Sequence, residues 1–151
     1  MRWCVGGGDF ERGRYSPVHS WSFDGGVTIA GSSSPSVVHP PYSDPAAVDP
    51  EEAFVAALSS CHMLSFLYVA SKAGFVVARY DDEAVGRMTK NEHGVPWVSH
   101  VVLAPRHEFV GEKKPTREEV EALHERAHHE CFIANSVKTE IEVKWEFVAT
   151  V

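Results

Sequence analysis

The apolar and polar positions of the chain predict one long helix near its middle, over residues 49–74. Between residues 53 and 71 there is no charged side chain, so this stretch is apolar on nearly every face and is expected to be buried. Asp49 is a good N-cap and Pro50 suits the first helical position. Gly74 supplies a left-handed stop at the other end. We therefore expect the rest of the fold to be organised around this helix.

The segment before the helix predicts a β-hairpin followed by a long loop. Over residues 19–29, apolar residues (Trp21, Phe23, Val27 and Ile29) alternate with polar ones on both sides of an Asp-Gly turn. This spacing is typical of two paired strands. Residues 31–48 are rich in serine and proline and predict an irregular connection.

The segment after the helix predicts two strands, a second helix and a final strand. The first two strands occupy residues 75–88 and 95–103, and a polar connection follows over 105–114. A capping box at Thr116 opens a helix to about residue 132, with an apolar stripe of Val120, Leu123, Ala127 and Cys131. Strict alternation over 140–147 predicts the last strand. This order of elements predicts an α+β fold with a largely antiparallel sheet, in a single domain over 1–151.

Composition narrows the classes of function. A net charge of -7 argues against nucleic acid as a partner, because no basic stripe is present to neutralise phosphates. No apolar leader follows Met1, and polar residues interrupt the apolar helix, so we expect a cytoplasmic protein that does not span a membrane. Thiols stay reduced in that compartment, so the three cysteines are expected to be free thiols, metal ligands or catalytic groups.

One candidate chemistry is a zinc site on the second helix. His124, Glu125 and His128 have the H-E-x-x-H spacing, which places two histidines on one side of a helix with a glutamate as base. Arg126 lies within one turn of this site, and no third ligand follows at a defined spacing. The alternative interpretation is a solvated helix face, so a zinc hydrolase is the last of three hypotheses.

The second candidate chemistry is that of Cys61. A cysteine among Ala, Leu, Met and Phe is usually a small core residue. To act as a nucleophile it needs a nearby cation, for which Arg12 and Arg14 are candidates and His62 a weaker one. Glu51 could hold such an arginine through a bidentate pair.

The helix limits how Glu51 and Cys61 can share a site. On a continuous helix, ten residues at ~1.5 Å each separate them by about 15 Å along the axis. A site containing Glu51, an arginine and Cys61 therefore predicts either an interrupted helix or an interface to which a second chain contributes.

Two segments resemble the cysteine motifs of the OsmC/Ohr family. Residues 49–62, D-P-E-E-A-F-V-A-A-L-S-S-C-H, resemble the first motif, in which Asn or Asp-Pro-Glu precedes a helix with a reactive cysteine. Residues 131–137, C-F-I-A-N-S-V, resemble the second motif, although Phe132 stands where the family usually has proline. The arginine loop is not a clean match, but the order of elements also agrees, and the resemblance covers essentially the whole chain.

The resemblance implies an intertwined α+β homodimer, with sheets packed on two main helices and active sites at the dimer interface. It also implies a thiol peroxidase that reduces organic hydroperoxides to alcohols. In this interpretation Cys61 is the peroxidatic thiolate, Cys131 the resolving thiol that forms a Cys61–Cys131 disulfide, and Glu51 the partner of the activating arginine. Arg14 fits that arginine better than Arg12.

The same interpretation needs no cofactor and no metal, only an external dithiol reductant. An apolar pocket lined by Phe54, Met63, Leu64 and Phe66 is expected to favour organic hydroperoxides over hydrogen peroxide. A hypothesis of another class remains open: a non-catalytic dimeric ligand-binding or stress protein with this fold, in which both cysteines are core residues. Thiol labelling separates the two, because a core cysteine reacts slowly.

Overall fold

A computed structural model of the protein describes residues 1–5 and 8–146. It divides the chain into two compact units, Met1–Phe54 and Val55–Val151, which are described separately below. The expectation of a single domain over 1–151 stays a prediction.

The first unit contains two small antiparallel ladders. Strand β1 (Gly8–Asp9) pairs with β2 (Arg14–Tyr15), and β3 (His19–Ser22) pairs with β4 (Thr28–Gly31). Trp21 lies opposite Ile29, so the predicted hairpin is confirmed, whereas Phe23 and Val27 at its turn are exposed. The chain from residue 32 to 47 has no helix or strand, as the serine and proline content predicts.

Helix α1 (Pro50–Lys72) has the ends that its sequence predicts. The Asp49 carboxylate accepts a hydrogen bond from the Glu52 backbone N–H at 2.8 Å, and the Glu52 carboxylate accepts one from the Asp49 N–H at 3.3 Å. At the other end Gly74 has a φ of 79°, in the left-handed region that favours glycine. Both ends of α1 are therefore set by local interactions, which is why the sequence predicts them.

Within this chain α1 is buried on one side only, so the expectation of burial on nearly every face is wrong. The covered stripe consists of Leu58, His62, Phe66, Val69 and Ala70. The opposite side leaves Leu64 61% and Tyr68 54% exposed. By length and composition α1 could also cross a membrane, but a single such helix is weak support for a span.

The second unit is built on one long, bent β-hairpin. Strand β5 (Val76–Asp82) pairs with β8 (Pro105–Val110), and β6 (Val85–Lys90) pairs with β7 (Pro96–Leu103). The register is the same on both sides of the bend, since Asp82 pairs with Pro105 and Val85 with Val102. The two ladders are thus the halves of one hairpin that turns at Asn91, where the sequence predicts a turn.

Strand β8 corrects the sequence analysis, which predicts a polar connection over 105–114. Its residues alternate between a covered side (Pro105, His107 and Phe109) and an exposed side (Arg106, Glu108 and Val110). Two of its three outward residues are charged and it begins with proline, so its composition is that of a loop. Its alternation of covered and exposed residues is nevertheless that of a strand.

Helix α2 (Arg117–Glu130) begins with the predicted capping box. Thr116 Oγ1 accepts from the Glu119 N–H at 3.2 Å, and the Glu119 carboxylate accepts from the Thr116 N–H at 2.8 Å. The last strand, β9 (Glu140–Val143), lies parallel to β7, which makes it the one parallel pairing in the described ladders. Phe147, predicted to continue this strand, lies outside the described residues.

The core of the second unit lies where α1 and α2 pack on the β5–β8 ladder. Its buried members are Phe66, Val69, Ala70, Phe75, Phe109, Val120, Leu123 and Ala127, and Val77, Tyr80 and Trp145 pack against them. The predicted α2 stripe is therefore a core stripe, and Cys131 extends it as the residue that ends the helix.

Candidate active site

The two cysteines named by the sequence analysis lie together. Cys61 is in the middle of α1 and Cys131 is the C-cap of α2. Their sulfurs lie at one short turn, because the N–H groups of Ile133 and Ala134 donate to Cys61 Sγ and Cys131 Sγ, although 70 positions separate the two cysteines. Cys131 is 1% exposed, whereas Cys61 is half-buried. Of the pair, Cys61 is therefore the thiol that a solute can reach.

The pKa of the Cys131 thiol lies above its ordinary range. Burial is the main cause, and the neighbouring Cys61 side chain adds to it. Cys131 therefore keeps its proton at neutral pH. The arrangement distinguishes the two sulfurs chemically, with a protonated buried thiol beside an accessible one.

A tight turn over residues 131–136 brings backbone donors to both sulfurs. The Ile133 N–H donates to Cys61 Sγ at 3.5 Å, and the Ala134 N–H donates to Cys131 Sγ at 3.4 Å. Asn135 Nδ2 donates to the carbonyls of His129 and Cys131, each at 2.9 Å. The sequence analysis did not identify Asn135, whose only signal is its position shortly after the helix end.

An open groove of about 900 Å³ lies above Cys61. Its apolar lining consists of Ala57, Leu64, Tyr68, Phe132 and Ile133, and its polar lining of Ser60, Ser65, His129, Glu130 and Asn135. Of the four predicted lining residues only Leu64 belongs to it. Phe66 is a core residue, and Phe54 and Met63 are not in the lining, because a helix without charged residues does not reveal which side faces the core.

Arg12, Arg14 and Glu51 belong to the first unit, and their predicted roles stay predictions. Asp9, which the sequence analysis did not single out, lies 3.2 Å from Arg14 Nη2 and 3.5 Å from Arg12 Nε. Helix α1 has no break between Pro50 and Lys72. Of the two arrangements that could join Glu51, an arginine and Cys61, the interrupted helix is thus excluded and the interface between chains stays a prediction.

Next to Cys61, three imidazoles form a line that we call the histidine cluster (His62, His107 and His124), in which His62 and His124 are buried and His107 is half-buried. His62 Nε2 lies 3.1 Å from His124 Nδ1, and His124 Nε2 lies 3.2 Å from His107 Nε2. The His124 ring also stacks on Phe66, with centroids 4.4 Å apart. Each neutral ring has one N–H, so the two hydrogen bonds must run in the same direction along the line.

All three members of the histidine cluster are neutral at physiological pH. Burial, helped by the nearby His128, lowers the pKa of His62 to about 4. Burial, with His62 and His107 next to it, lowers the pKa of His124 to about 3. Burial also lowers the pKa of His107. The histidine cluster therefore packs as an uncharged part of the protein interior.

The same contacts remove the basis for a zinc hydrolase. Both ring nitrogens of His124 face other histidines, and the ring is 3% exposed, so this residue is neither a free ligand nor part of a solvated face. Over residues 1–5 and 8–146, no group of three or more His, Cys, Asp or Glu side chains is arranged to hold a metal ion. The H-E-x-x-H spacing is here a coincidence of core packing.

Comparison with known proteins gives a consistent family. The family model described as OsmC-like protein matches residues 43–146. A solved structure of an OsmC-like protein of unknown function from Vibrio cholerae is 49% identical, with a TM-score of 0.93, and the match covers 96% of this chain and 95% of that one. No match was found among curated proteins.

Two more distant structures share the fold. An organic hydroperoxide resistance protein from Elizabethkingia anophelis is 19% identical, with a TM-score of 0.65 over 96% of this chain and 95% of that one. A putative organic hydroperoxide resistance protein from Vibrio cholerae, with captopril bound in one of its active sites, is 21% identical, with a TM-score of 0.65 over 86% of this chain and 83% of that one.

The histidine cluster makes the stability of the protein depend on pH. Below pH ~6.5 the histidines of the unfolded chain bind protons, while His62 and His124 stay neutral until about 4 and about 3. The free energy of unfolding is therefore highest above pH 6.5 and falls as the pH drops through this window, by up to about 2.7 kcal/mol per pH unit for two groups. Urea unfolding between pH 7.5 and 4.5 measures this slope.

The variant His124→Gln separates the cluster from the carboxylates, which also contribute to acid unfolding. In this variant one proton fewer is taken up on unfolding, so its free energy of unfolding should change with pH less steeply than that of the wild type, by roughly 1.4 kcal/mol per pH unit. Parallel curves for the two proteins would contradict the assignment.

Proposed function

The chain belongs to the OsmC-like protein family, and on that premise we propose that it is a cysteine-based peroxidase that reduces organic hydroperoxides to alcohols. The observation that carries the proposal is the position of an accessible Cys61 and a buried Cys131 at one turn, beneath an apolar groove. The names of the more distant relatives support the substrate class, since they are organic hydroperoxide resistance proteins.

In the first step the Cys61 thiolate attacks the terminal oxygen of the R–O–O–H group. A sulfur–oxygen bond forms, the oxygen–oxygen bond breaks, and the leaving alkoxide takes up a proton and departs as the alcohol. Sulfur loses two electrons and becomes a sulfenic acid. Arg14, with Arg12 as second candidate, supplies the cation that stabilises the developing charge, and Glu51 holds it, in the interface arrangement that an unbroken α1 requires.

In the second step Cys131 gives its proton to the sulfenic oxygen, and its sulfur attacks the Cys61 sulfur as the thiolate. The sulfur–sulfur bond forms, and the sulfenic oxygen leaves as water together with the Cys131 proton. The raised pKa of Cys131 keeps its thiol protonated until then, so that Cys61 and not Cys131 reacts with the hydroperoxide. An external dithiol in the cytoplasm then restores both thiols by exchange, and no cofactor takes part.

Thiol counting tests the reaction directly. In a Cys4→Ser background, which removes the exposed third cysteine, one equivalent of cumene hydroperoxide should remove two thiols rapidly. The further change Cys61→Ser should abolish the loss of the remaining thiol, because Cys131 is buried and protonated. Loss of one thiol would keep Cys61 as nucleophile and remove Cys131 from the mechanism. No loss would replace the peroxidase with the non-catalytic binding protein.

The groove should make the enzyme selective for organic substrates. Ala57, Leu64, Tyr68 and Phe132 offer apolar surface that hydrogen peroxide cannot use. Stopped-flow oxidation of Cys61 should therefore be at least about tenfold faster with cumene hydroperoxide than with hydrogen peroxide, since burying a few apolar groups supplies 1–2 kcal/mol. Equal rates would show that the groove does not select the substrate.

We also propose that the protein is a homodimer. The exposed side of α1 and the 83% exposed Phe132 leave apolar surface next to Cys61 that a second copy would cover. Light scattering after gel filtration should give twice the chain mass, and Leu64→Lys should lower it towards one chain. Val27→Lys is a matched control, because Val27 is a similarly exposed apolar residue (59%) at the turn of the first hairpin. A monomeric wild type would reject the proposal.

A further inference from the structure

We propose that Asn135 is a positioning residue for the cysteine pair, because its side-chain amide holds the turn whose backbone N–H groups point at both sulfurs. The proposal concerns the reactivity of Cys61, and its catalytic meaning rests on the peroxidase function proposed above. The residue touches neither sulfur by its side chain and acts through the backbone of residues 131–134.

The contacts of Asn135 fix both ends of the turn. Its Nδ2 group donates to the His129 carbonyl in the last turn of α2 and to the Cys131 carbonyl at the helix end, each at 2.9 Å. Its backbone N–H also donates to the Cys131 carbonyl, at 3.1 Å. The carbonyl of the buried cysteine thus receives two donors from one residue, which leaves the intervening backbone little freedom.

The intervening residues are the ones that contact the sulfurs. Ile133 and Ala134 lie between the two anchored carbonyls and Asn135, and their N–H groups donate to Cys61 Sγ and Cys131 Sγ. An N–H donor stabilises a thiolate more than a thiol. If the turn loses its anchor, the donor to Cys61 is no longer held in place and the thiolate form becomes less favourable.

The C-terminal end of α2 gives a second electrostatic reason why Asn135 favours the Cys61 thiolate. The last carbonyls of a helix carry a partial negative charge, which disfavours an anion nearby. Asn135 covers two carbonyls at the end of α2 with N–H groups and so reduces this effect next to Cys61. The other titratable groups that line the groove are Tyr68, His129 and Glu130, and the Glu130 carboxylate accepts from Arg126 Nε at 2.8 Å.

A purely structural role for Asn135 would give a different result, and Asn91 provides the matched control. Asn91 is also exposed and also anchors a turn by two side-chain hydrogen bonds, since its Oδ1 accepts from the N–H groups of His93 and Val95 at 3.0 and 2.9 Å. Asn91→Ala and Asn135→Ala should therefore have similar effects on stability, but only the second should change the chemistry of Cys61.

The experiment measures the rate of Cys61 alkylation by iodoacetamide from pH 5 to 10, on reduced full-length protein carrying Cys4→Ser. Asn135→Ala should slow alkylation at pH 7 by about two- to fivefold and move the midpoint of the pH profile upward, which is the size of effect expected at a helix end. Asn91→Ala should leave both unchanged. Asn135→Asp, which keeps the size of the side chain but cannot donate, should slow alkylation at least as much.

Unchanged alkylation in both Asn135 variants would overturn the proposal, as would an equal slowing in Asn91→Ala. If Asn135→Ala does not fold, the alkylation rate of Asn135→Asp still tests the proposal. The amide exchange rates of Ile133 and Ala134 in the reduced wild-type protein test it as well, because N–H groups held in place must exchange slowly. No peroxide is used, so a failure here is distinct from a failure of the peroxidase function.

Discussion

The packing of α1 against α2 through His62, Phe66 and His124 determines where Cys61 and Cys131 lie relative to each other. His62 follows Cys61 directly, and His124 lies seven residues before Cys131 on the other helix. The 3.1 Å contact between the two imidazoles and the stacking of His124 on Phe66 therefore set the register in which the cysteines meet. A shift of either helix by one residue would rotate a sulfur by about 100° away from its partner.

This register is maintained by rings that are polar and yet buried. Within the line of three imidazoles every internal nitrogen faces another, but His62 Nδ1 and His128 Nδ1 have no hydrogen-bond partner among the described residues. Unpaired buried nitrogens are costly, and a proton added to His62 or His124 would cost more. The helices are thus held together by flat aromatic contact, on the condition that the rings stay uncharged.

The local features of the fold could be predicted from the sequence, and the non-local ones could not. The ends of α1 and α2 depend on Asp49, Gly74 and Thr116, each of which acts on its own neighbours. Which side of α1 faces the core depends on α2 instead, so Phe66 could not be told from a groove residue. The contacts of His124 with His62 and His107 join three separate elements, and only the fold brings them together. The two cysteines were identified by resemblance to a family, since no local pattern distinguishes Cys61 from a core residue.

The bent hairpin has a consequence for the order in which the structure can form. Its four strands lie within residues 76–110 and keep one register across the bend, with one register shift in each ladder, so it can close from the turn at Asn91 as soon as that stretch of chain is available. Helix α2, Cys131 and the parallel strand β9 all follow it in the chain. During synthesis, the hairpin can thus form before Cys131 is available, and the second cysteine then joins the first on a sheet that already exists.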